Sequence, residues 1–333
     1  MTDLIRKLSN SNIPKCNPET EAFVFVYGTL LKGHANYERY LAPANPIMRC
    51  EAEGFDLYEL GAYPAAVEGN GTIKGELYKV TLEQLEKLDR LEGNGGLYTR
   101  KKVLVNGYSI EKAEAYIYVY NHSVAGKELI PYEAQPYKNE YVWYVTYGSN
   151  MCFERLSCYI EGGYFERNDR DYPSCSNPEL PTEWIALELP YNMYFANFGK
   201  GAWKNSAVSF LDVDKLGYSY CRAYLIKKNQ LEHIHGLEGI GNSWYPDTVK
   251  LPDIDGIEAV TFTNKTAKRY ASASEISIAY ASTIMDGLME MGETADFAFD
   301  YIKQCTSRFT SVCWTVEQAD DVYEDEKNNL HRS

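Results

Sequence analysis

Phe23-Val24-Phe25-Val26-Tyr27-Gly28-Thr29 is an unbroken run of β-branched and aromatic residues that stops at a glycine. Without polar alternation, such a run suits a strand buried on both faces of a sheet, ended by Tyr27-Gly28-Thr29. A second run of the same character, Tyr141-Val142-Trp143-Tyr144-Val145, leads into Tyr147-Gly148-Ser149. The two breaks stand 147 − 27 = 120 positions apart. A strand that twice ends at Tyr-Gly and a hydroxyl residue is the first sign of an internal repeat.

Downstream of the first break, Thr81-Leu82-Glu83-Gln84 reads as a capping box, and Leu82, Leu85, Leu88 and Leu91 recur along one helix face. Leu91-Glu92-Gly93-Asn94-Gly95 closes that helix with a glycine suited to a left-handed terminator. Downstream of the second break, Asn229 with Glu232 is expected to cap a short helix carrying Leu231 and Ile234, closed by Leu237-Glu238-Gly239-Ile240-Gly241. Leu-Glu-Gly-x-Gly therefore occurs twice, each time at the end of a capped apolar helix. The glycine-to-glutamate interval is 92 − 28 = 64 in the first copy and 238 − 148 = 90 in the second. The difference calls for an insertion, and the polar stretch 161–179 is the natural place for it.

Residues 75–80 and 220–226 read as strands entering each helix, with 98–105 and 114–120, then 248–251 and 258–262, as strands after it. Residues 276–291 have apolar spacing suited to a helix packing on the second copy. The polar link 121–140, with Pro131 and Pro136, sets the boundary near Asn139. The expected organisation is a first domain over 20–138, a second over 139–319 and a frayed acidic tail over 320–333.

At 333 residues there is room for two ordinary cores. A net charge of −14 works against nucleic-acid binding, which needs clustered cations. No stretch approaches ~18 unbroken apolar residues, and residues 1–20 lack the apolar centre of a signal peptide, so a cytoplasmic protein without membrane contact is expected. The eight cysteines form no C-x-x-C pair, which signals neither zinc nor redox chemistry. Cys152 and Cys158 have no local histidine to activate them, and His233 and His235, two apart on a helix, diverge too far for joint metal ligation.

The first copy, with Phe25-Val26-Tyr27-Gly28-Thr29-Leu30, Gly75-Glu76-Leu77-Tyr78 and Leu88-Asp89-Arg90-Leu91-Glu92 before Leu97-Tyr98, resembles γ-glutamylamine cyclotransferases. The second, with Tyr147-Gly148-Ser149-Asn150, Tyr194-Phe195-Ala196-Asn197-Phe198-Gly199 and Leu237-Glu238-Gly239, resembles γ-glutamylcyclotransferases proper. The resemblance implies an α+β chain of two tandem small mixed β-barrels with flanking helices. It implies Glu92 and Glu238 as catalytic acid/bases. Tyr27, Gly28, Thr29, Leu30 and Tyr98, and in the second copy Tyr147, Gly148, Ser149 and Asn150, are implied to bind a small γ-glutamyl substrate, with neither metal nor organic cofactor. Cys221 stands where the first copy has Gly75, and the added bulk is expected to reshape the second pocket.

The implied reaction, release of 5-oxoproline from a γ-glutamyl compound, needs a group that takes a proton from the substrate α-amine and returns it to the departing amine. One carboxylate can do both if burial and the negative helix end raise its pKa. A strand stopping at Tyr-Gly exposes backbone N–H groups that can hold a carboxylate as a nest, approached closely at Gly28 and Gly148. Glu76 and Asp89 read more simply as solvated or structural acids. A binding or regulatory module without turnover, and a hydrolase or transferase, remain open as alternatives.

Overall fold

The computed structural model describes residues 6–7, 13–108, 112–196, 202–204, 206–239, 244–267, 274–306 and 312–313. The expectations for Asn197 to Gly199, for Ile240 and Gly241, and for the tail from Asp320 lie outside these. The chain divides into two compact units, one of Asn10–Glu140 with Asp253–Ile257, the other of Met1–Ser9, Tyr141–Pro252 and Glu258–Ser333. Both are mixed α+β.

In the first unit the opening apolar run is strand β1 (Glu21–Val26), followed by α1 (Ala35–Tyr40), β2 (Met48–Glu59) and β3 (Pro64–Thr81). Helix α2 (Leu82–Glu92), β4 (Tyr98–Gly107), β5 (Lys112–Tyr120) and the short β6 (Glu128–Leu129) complete it. The strand order is β3-β1-β5-β4-β2-β6, and a further β3–β2 pairing joins the first and fifth strands, so five strands pair in a ring. β1 is central, antiparallel to β3 (Val24 opposite Tyr78) and parallel to β5 (Val24 opposite Tyr116). Val24, Phe25 and Val26 are all buried, as a strand covered on both faces requires.

Helix α2 follows its sequence signals closely. Gln84 N–H donates to Thr81 Oγ1 at 3.1 Å and Thr81 N–H to Gln84 Oε1 at 3.0 Å, which closes the capping box. Gly93 ends the helix with φ 60 and ψ 50, the left-handed conformation for which glycine is best suited. Leu85 and Leu88 are buried, whereas Leu82, in the first turn, is exposed.

The second unit repeats the central arrangement. Strand β7 (Tyr141–Thr146) precedes α3 (Phe153–Ile160), a hairpin of β8 (Gly163–Phe165) and β9 (Arg170–Tyr172), and the long β10 (Trp184–Ala196) and β11 (Val208–Lys227). Then come α4 (Lys228–Leu237), β12 (Asp247–Ile254), β13 (Ile257–Thr263), α5 (Ile278–Glu290) and α6 (Ala295–Thr306). β7 is antiparallel to β11 (Tyr144 opposite Tyr224) and parallel to β13 (Tyr144 opposite Val260), the same pairings that β1 makes. The six-stranded sheet runs Arg6–Lys7, β10, β11, β7, β13, β12, with no closing pair among the described residues.

One expectation is corrected here. Helix α4 begins at Lys228, with Lys227 N–H donating to Gln230 Oε1 at 2.9 Å, so Asn229 lies inside the helix and does not cap it. Within the polar stretch 161–179 the β8–β9 hairpin buries Phe165 and Tyr172, and Cys175 just beyond it is buried as well. Among the described residues no helix is long and apolar enough to cross a membrane.

Candidate active site

The turn after β1 is closed by Leu31 N–H donating to Gly28 C=O at 2.9 Å, and the turn after β7 by Met151 N–H donating to Gly148 C=O at 3.0 Å. Tyr27 and Tyr147 are buried, and each hydroxyl crosses to the parallel neighbour strand. Tyr27 donates to Tyr118 C=O at 2.5 Å and Tyr147 to Phe262 C=O at 2.7 Å. Both tyrosines therefore fasten the strand end and present their rings, not their hydroxyls, to the adjoining space.

No residue of 27–32 or 147–151 has a positive φ, so N–H groups presented here are those of a tight turn and not of an alternating right- and left-handed segment. The glycines are required for a different reason. A Cβ on Gly28 would sit 2.8 Å from Pro64 Cγ, and one on Gly148 would sit 2.3 Å from Ser209 Oγ, so a side chain of a neighbouring strand already stands where the Cβ would be.

In the first unit this turn borders a cavity of about 330 Å³ lined by Tyr27, Gly28, Thr29, Leu30, Tyr63, Pro64, Glu92, Leu97 and Tyr98 among others. The volume lies within the range of small-molecule sites. Thr29 is held by Asn36, whose Nδ2 donates to Thr29 Oγ1 at 2.9 Å. Tyr98 gives its hydroxyl to Pro64 C=O at 2.9 Å, and Tyr118, also in the wall, gives its own to Asp89 Oδ1 at 2.8 Å. Glu92, the last residue of α2, is half-buried and is the only charged side chain among the lining residues. Burial among uncharged groups pushes its carboxyl up to about 7.

In the second unit the matching space is about 30 Å³, bordered by Tyr147, Gly148, Ser149, Asn150, Glu238, Tyr245 and Tyr280 among others. That admits ordered water but not a ligand of ordinary size. Glu238, just past α4, is also half-buried, but it has partners that Glu92 lacks. Asn150 Nδ2 donates to Glu238 Oε1 at 2.5 Å and to Tyr144 Oη at 3.0 Å. Burial pushes the Glu238 carboxyl up, while the charge of Arg155 and hydrogen bonds from Asn150 and Tyr159 pull it back. On the 120-residue offset, 150 − 120 = 30, so apolar Leu30 stands where the second unit has Asn150.

The narrowing of the second site has another origin than Cys221. Gly75 faces Val26 C=O and the Phe25 ring, not the cavity, and Cys221 is buried away from the second space. The space is instead closed by Tyr245 and by Tyr280 of α5, whose hydroxyl lies 2.9 Å from Ser209 Oγ. Of the remaining candidates, burial pushes the Cys152 thiol up to about 12, which disarms it as a nucleophile. The rings of His233 and His235 pair separately with Pro173 C=O and Tyr245 C=O.

A family model described as gamma-glutamyl cyclotransferase, AIG2-like, matches residues 24–139, which contain the larger cavity and Glu92. YtfP of Escherichia coli K12, a gamma-glutamylcyclotransferase family protein, is 36% identical over 107 residues, covering 32% of this chain and 89% of that protein. The chain belongs to the γ-glutamylcyclotransferase family. The family protein ytfP of Citrobacter rodentium is also 36% identical, over 32% of this chain and 89% of its own. The solved structure of YkqA from Bacillus subtilis is 20% identical over 86% of this chain and 97% of that one, with a TM-score of 0.34.

Within this member of the family, one pair of residues that hold the turns escaped sequence reasoning. Glu76, expected to be solvated or structural, is buried in β3. Its Oε2 accepts from Lys32 N–H at 2.8 Å and from Tyr78 Oη at 2.9 Å, and its Oε1 lies 3.8 Å from Arg49 Nε. It thus ties the end of the Tyr27 turn to the sheet. The equivalent place in β11 holds Arg222, which donates to Met151 C=O at 3.0 Å and pairs with Glu290, while Tyr224 Oη donates to Met151 C=O at 2.8 Å. The tie is kept with its charges reversed: a carboxylate accepts from the turn in one unit, and a guanidinium donates to it in the other. Two unlike residue types at one register position give no motif to read. Asp89 is likewise structural, accepting from Tyr118 Oη and pairing with Arg100 at 2.6 Å.

Proposed function

We propose that the chain is a cyclotransferase that releases 5-oxoproline and a free amine or amino acid from γ-glutamyl compounds, with Glu92 as acid/base in the first unit and Glu238 as its counterpart in the second. The reading rests on one observation above all: a half-buried carboxyl, raised to about 7, is the only charge among the described residues that line a cavity bordering the Tyr27 turn. The family supports cyclotransfer in general, as do the names of the relatives.

The substrate α-amine arrives as an ammonium. Ionised Glu92 takes a proton from it, and the free amine attacks the γ-carbonyl carbon. A C–N bond forms and closes a five-membered ring. The tetrahedral intermediate then expels the original amine, which receives the proton from Glu92 as its C–N bond breaks, and the second proton of the former α-amine passes from the ring nitrogen through the freed Glu92 carboxylate to the departing amine, leaving the lactam N–H. Because nucleophile and electrophile share one molecule, holding the substrate bent is worth up to ~7 to 11 kcal/mol of barrier in ideal cases. A carboxyl pKa near the operating pH suits both proton transfers. Backbone N–H groups of the Gly28 to Leu30 turn, together with Tyr98 in the wall, form the substrate-binding surface in this reading. Tyr147, Gly148, Ser149 and Asn150 do so in the second unit.

We also read residues 20–138 and 139–319 as tandem copies of one small mixed β-barrel with flanking helices. The shared parallel and antiparallel pairings, the paired turns and the charge-reversed tie support duplication. The small second cavity favours the first unit as the seat of turnover, with the second keeping the scaffold. Incubation with γ-glutamyl amines and dipeptides, followed by assay of 5-oxoproline and of free glutamate, tests the proposal. Free glutamate would mean hydrolysis, and ligand-induced thermal stabilisation without product would mean binding alone.

A further inference from the structure

A γ-glutamyl compound carries an α-carboxylate, yet no cation waits for it in the first cavity. The only charged side chain among the described lining residues is Glu92, which repels an anion. The carboxylate therefore depends on neutral donors. Three wall tyrosines spend their hydroxyl protons elsewhere, Tyr27 on Tyr118 C=O, Tyr98 on Pro64 C=O and Tyr118 on Asp89 Oδ1. In the turn, the N–H groups of Leu31 and Lys32 are taken by Gly28 C=O and Glu76 Oε2. Thr29 also lines the cavity, and its hydroxyl donates to no other group among the described residues.

A hydroxyl has one proton to give, and what its oxygen accepts decides where that proton points. Asn36 of α1, which lines the same cavity, donates through Nδ2 to Thr29 Oγ1 at 2.9 Å. With that lone pair occupied, the Thr29 proton is turned away from Asn36. We propose that Asn36 is a positioning residue that orients the Thr29 hydroxyl as a donor to the substrate α-carboxylate, so that the anion is bound by polarity where no cation is present. The inference rests on the γ-glutamyl reading of this cavity. The second unit lacks the device: 36 + 120 = 156, and Leu156 is buried and has no polar group to offer Ser149.

Binding is measured by calorimetry on the full chain in the Glu92→Gln background, which keeps the ligand intact, with a γ-glutamyl amine and its α-carboxamide counterpart as probes. Thr29→Val should weaken the carboxylate probe about 10- to 100-fold, the effect of losing a hydrogen bond to a charged group, and the carboxamide much less. Asn36→Ala should show the same bias to a smaller degree. Added to Thr29→Val it should cost nothing further, because Asn36 acts only through the hydroxyl. Asn36→Asp, which can only accept from that hydroxyl, should weaken the carboxylate probe more than Asn36→Ala does, and by about tenfold less once Thr29→Val is present. Losses that add in the Thr29→Val/Asn36→Ala variant, or that fall equally on both probes, overturn the proposal. Should Thr29→Val fail to fold, the two Asn36 variants decide: Asn36→Asp binding the carboxylate probe as well as Asn36→Ala would equally overturn it. A chain that binds neither probe refutes the proposed function along with it.

Discussion

A carboxyl at the end of a helix, walled by tyrosine rings whose hydroxyls are engaged elsewhere, gains little by ionising. Glu92 stands in that position, and burial accounts for its rise to about 7. Two consequences follow in opposite directions. Turnover needs the ionised form to take the α-ammonium proton, so kcat/KM should fall as pH drops through about 7, which a pH–rate profile on a γ-glutamyl amine reads directly. Stability behaves inversely. A glutamate in the unfolded chain titrates near about 4.3, so the raised native pKa favours the fold fully below that value, and the advantage is lost as pH rises through about 7. Above it, the folded state carries an unpaired buried carboxylate at a cost of at most about 4 kcal/mol, less in proportion to the solvent that reaches it. Glu92→Gln should therefore melt above wild type at about pH 8 and level with it at about pH 4, as thermal scans at the two pH values would reveal. A helix-end glutamate that destabilises its own fold at neutral pH is a mark of function rather than of packing.

At the scale of elements, what matters is how each Tyr-Gly turn is held. Glu76 ties the first turn to β3 from outside the cavity, so Glu76→Gln should loosen the turn and raise KM about tenfold with kcat nearly unchanged, measured by steady-state kinetics. The second turn is held from the opposite side by α5. A Cβ on Gly287 would meet Met151 Cβ at 2.5 Å and Cys152 N at 2.6 Å. Gly287→Ala should therefore cost the second unit about 1 to 3 kcal/mol, seen as a lower denaturation midpoint. Local features of this kind were legible in unequal measure. The capping box of α2 and its Gly93 terminator could be read because their chemistry lies within a few neighbouring residues. The ties through Glu76 and Arg222 could not, because each joins positions 44 or 71 residues apart and the two copies use opposite charges. The hairpin over 163–172 was hidden by its polar composition, which masks the two aromatic residues that bury it.

For the molecule as a whole, the two strand breaks 120 positions apart and the doubled Leu-Glu-Gly-x-Gly were enough to suggest two similar halves. Cavity size was not readable, because it depends on residues far apart in sequence, Tyr245 and Tyr280 bordering one space and Tyr63, Leu97 and Tyr98 the other. Two related frames thus hold two differently provisioned carboxylates: Glu92 alone in an open cavity, and Glu238 hydrogen-bonded by Asn150 beside room for little more than water. A duplicated chain can keep its scaffold while only one copy keeps space for a ligand. The most direct measurement is the rate of 5-oxoproline release from γ-glutamyl amines and dipeptides by wild type, Glu92→Gln and Glu238→Gln. The account predicts a loss of about 10²- to 10⁴-fold for Glu92→Gln and a rate close to wild type for Glu238→Gln. Undiminished 5-oxoproline release by a folded Glu92→Gln variant would contradict it.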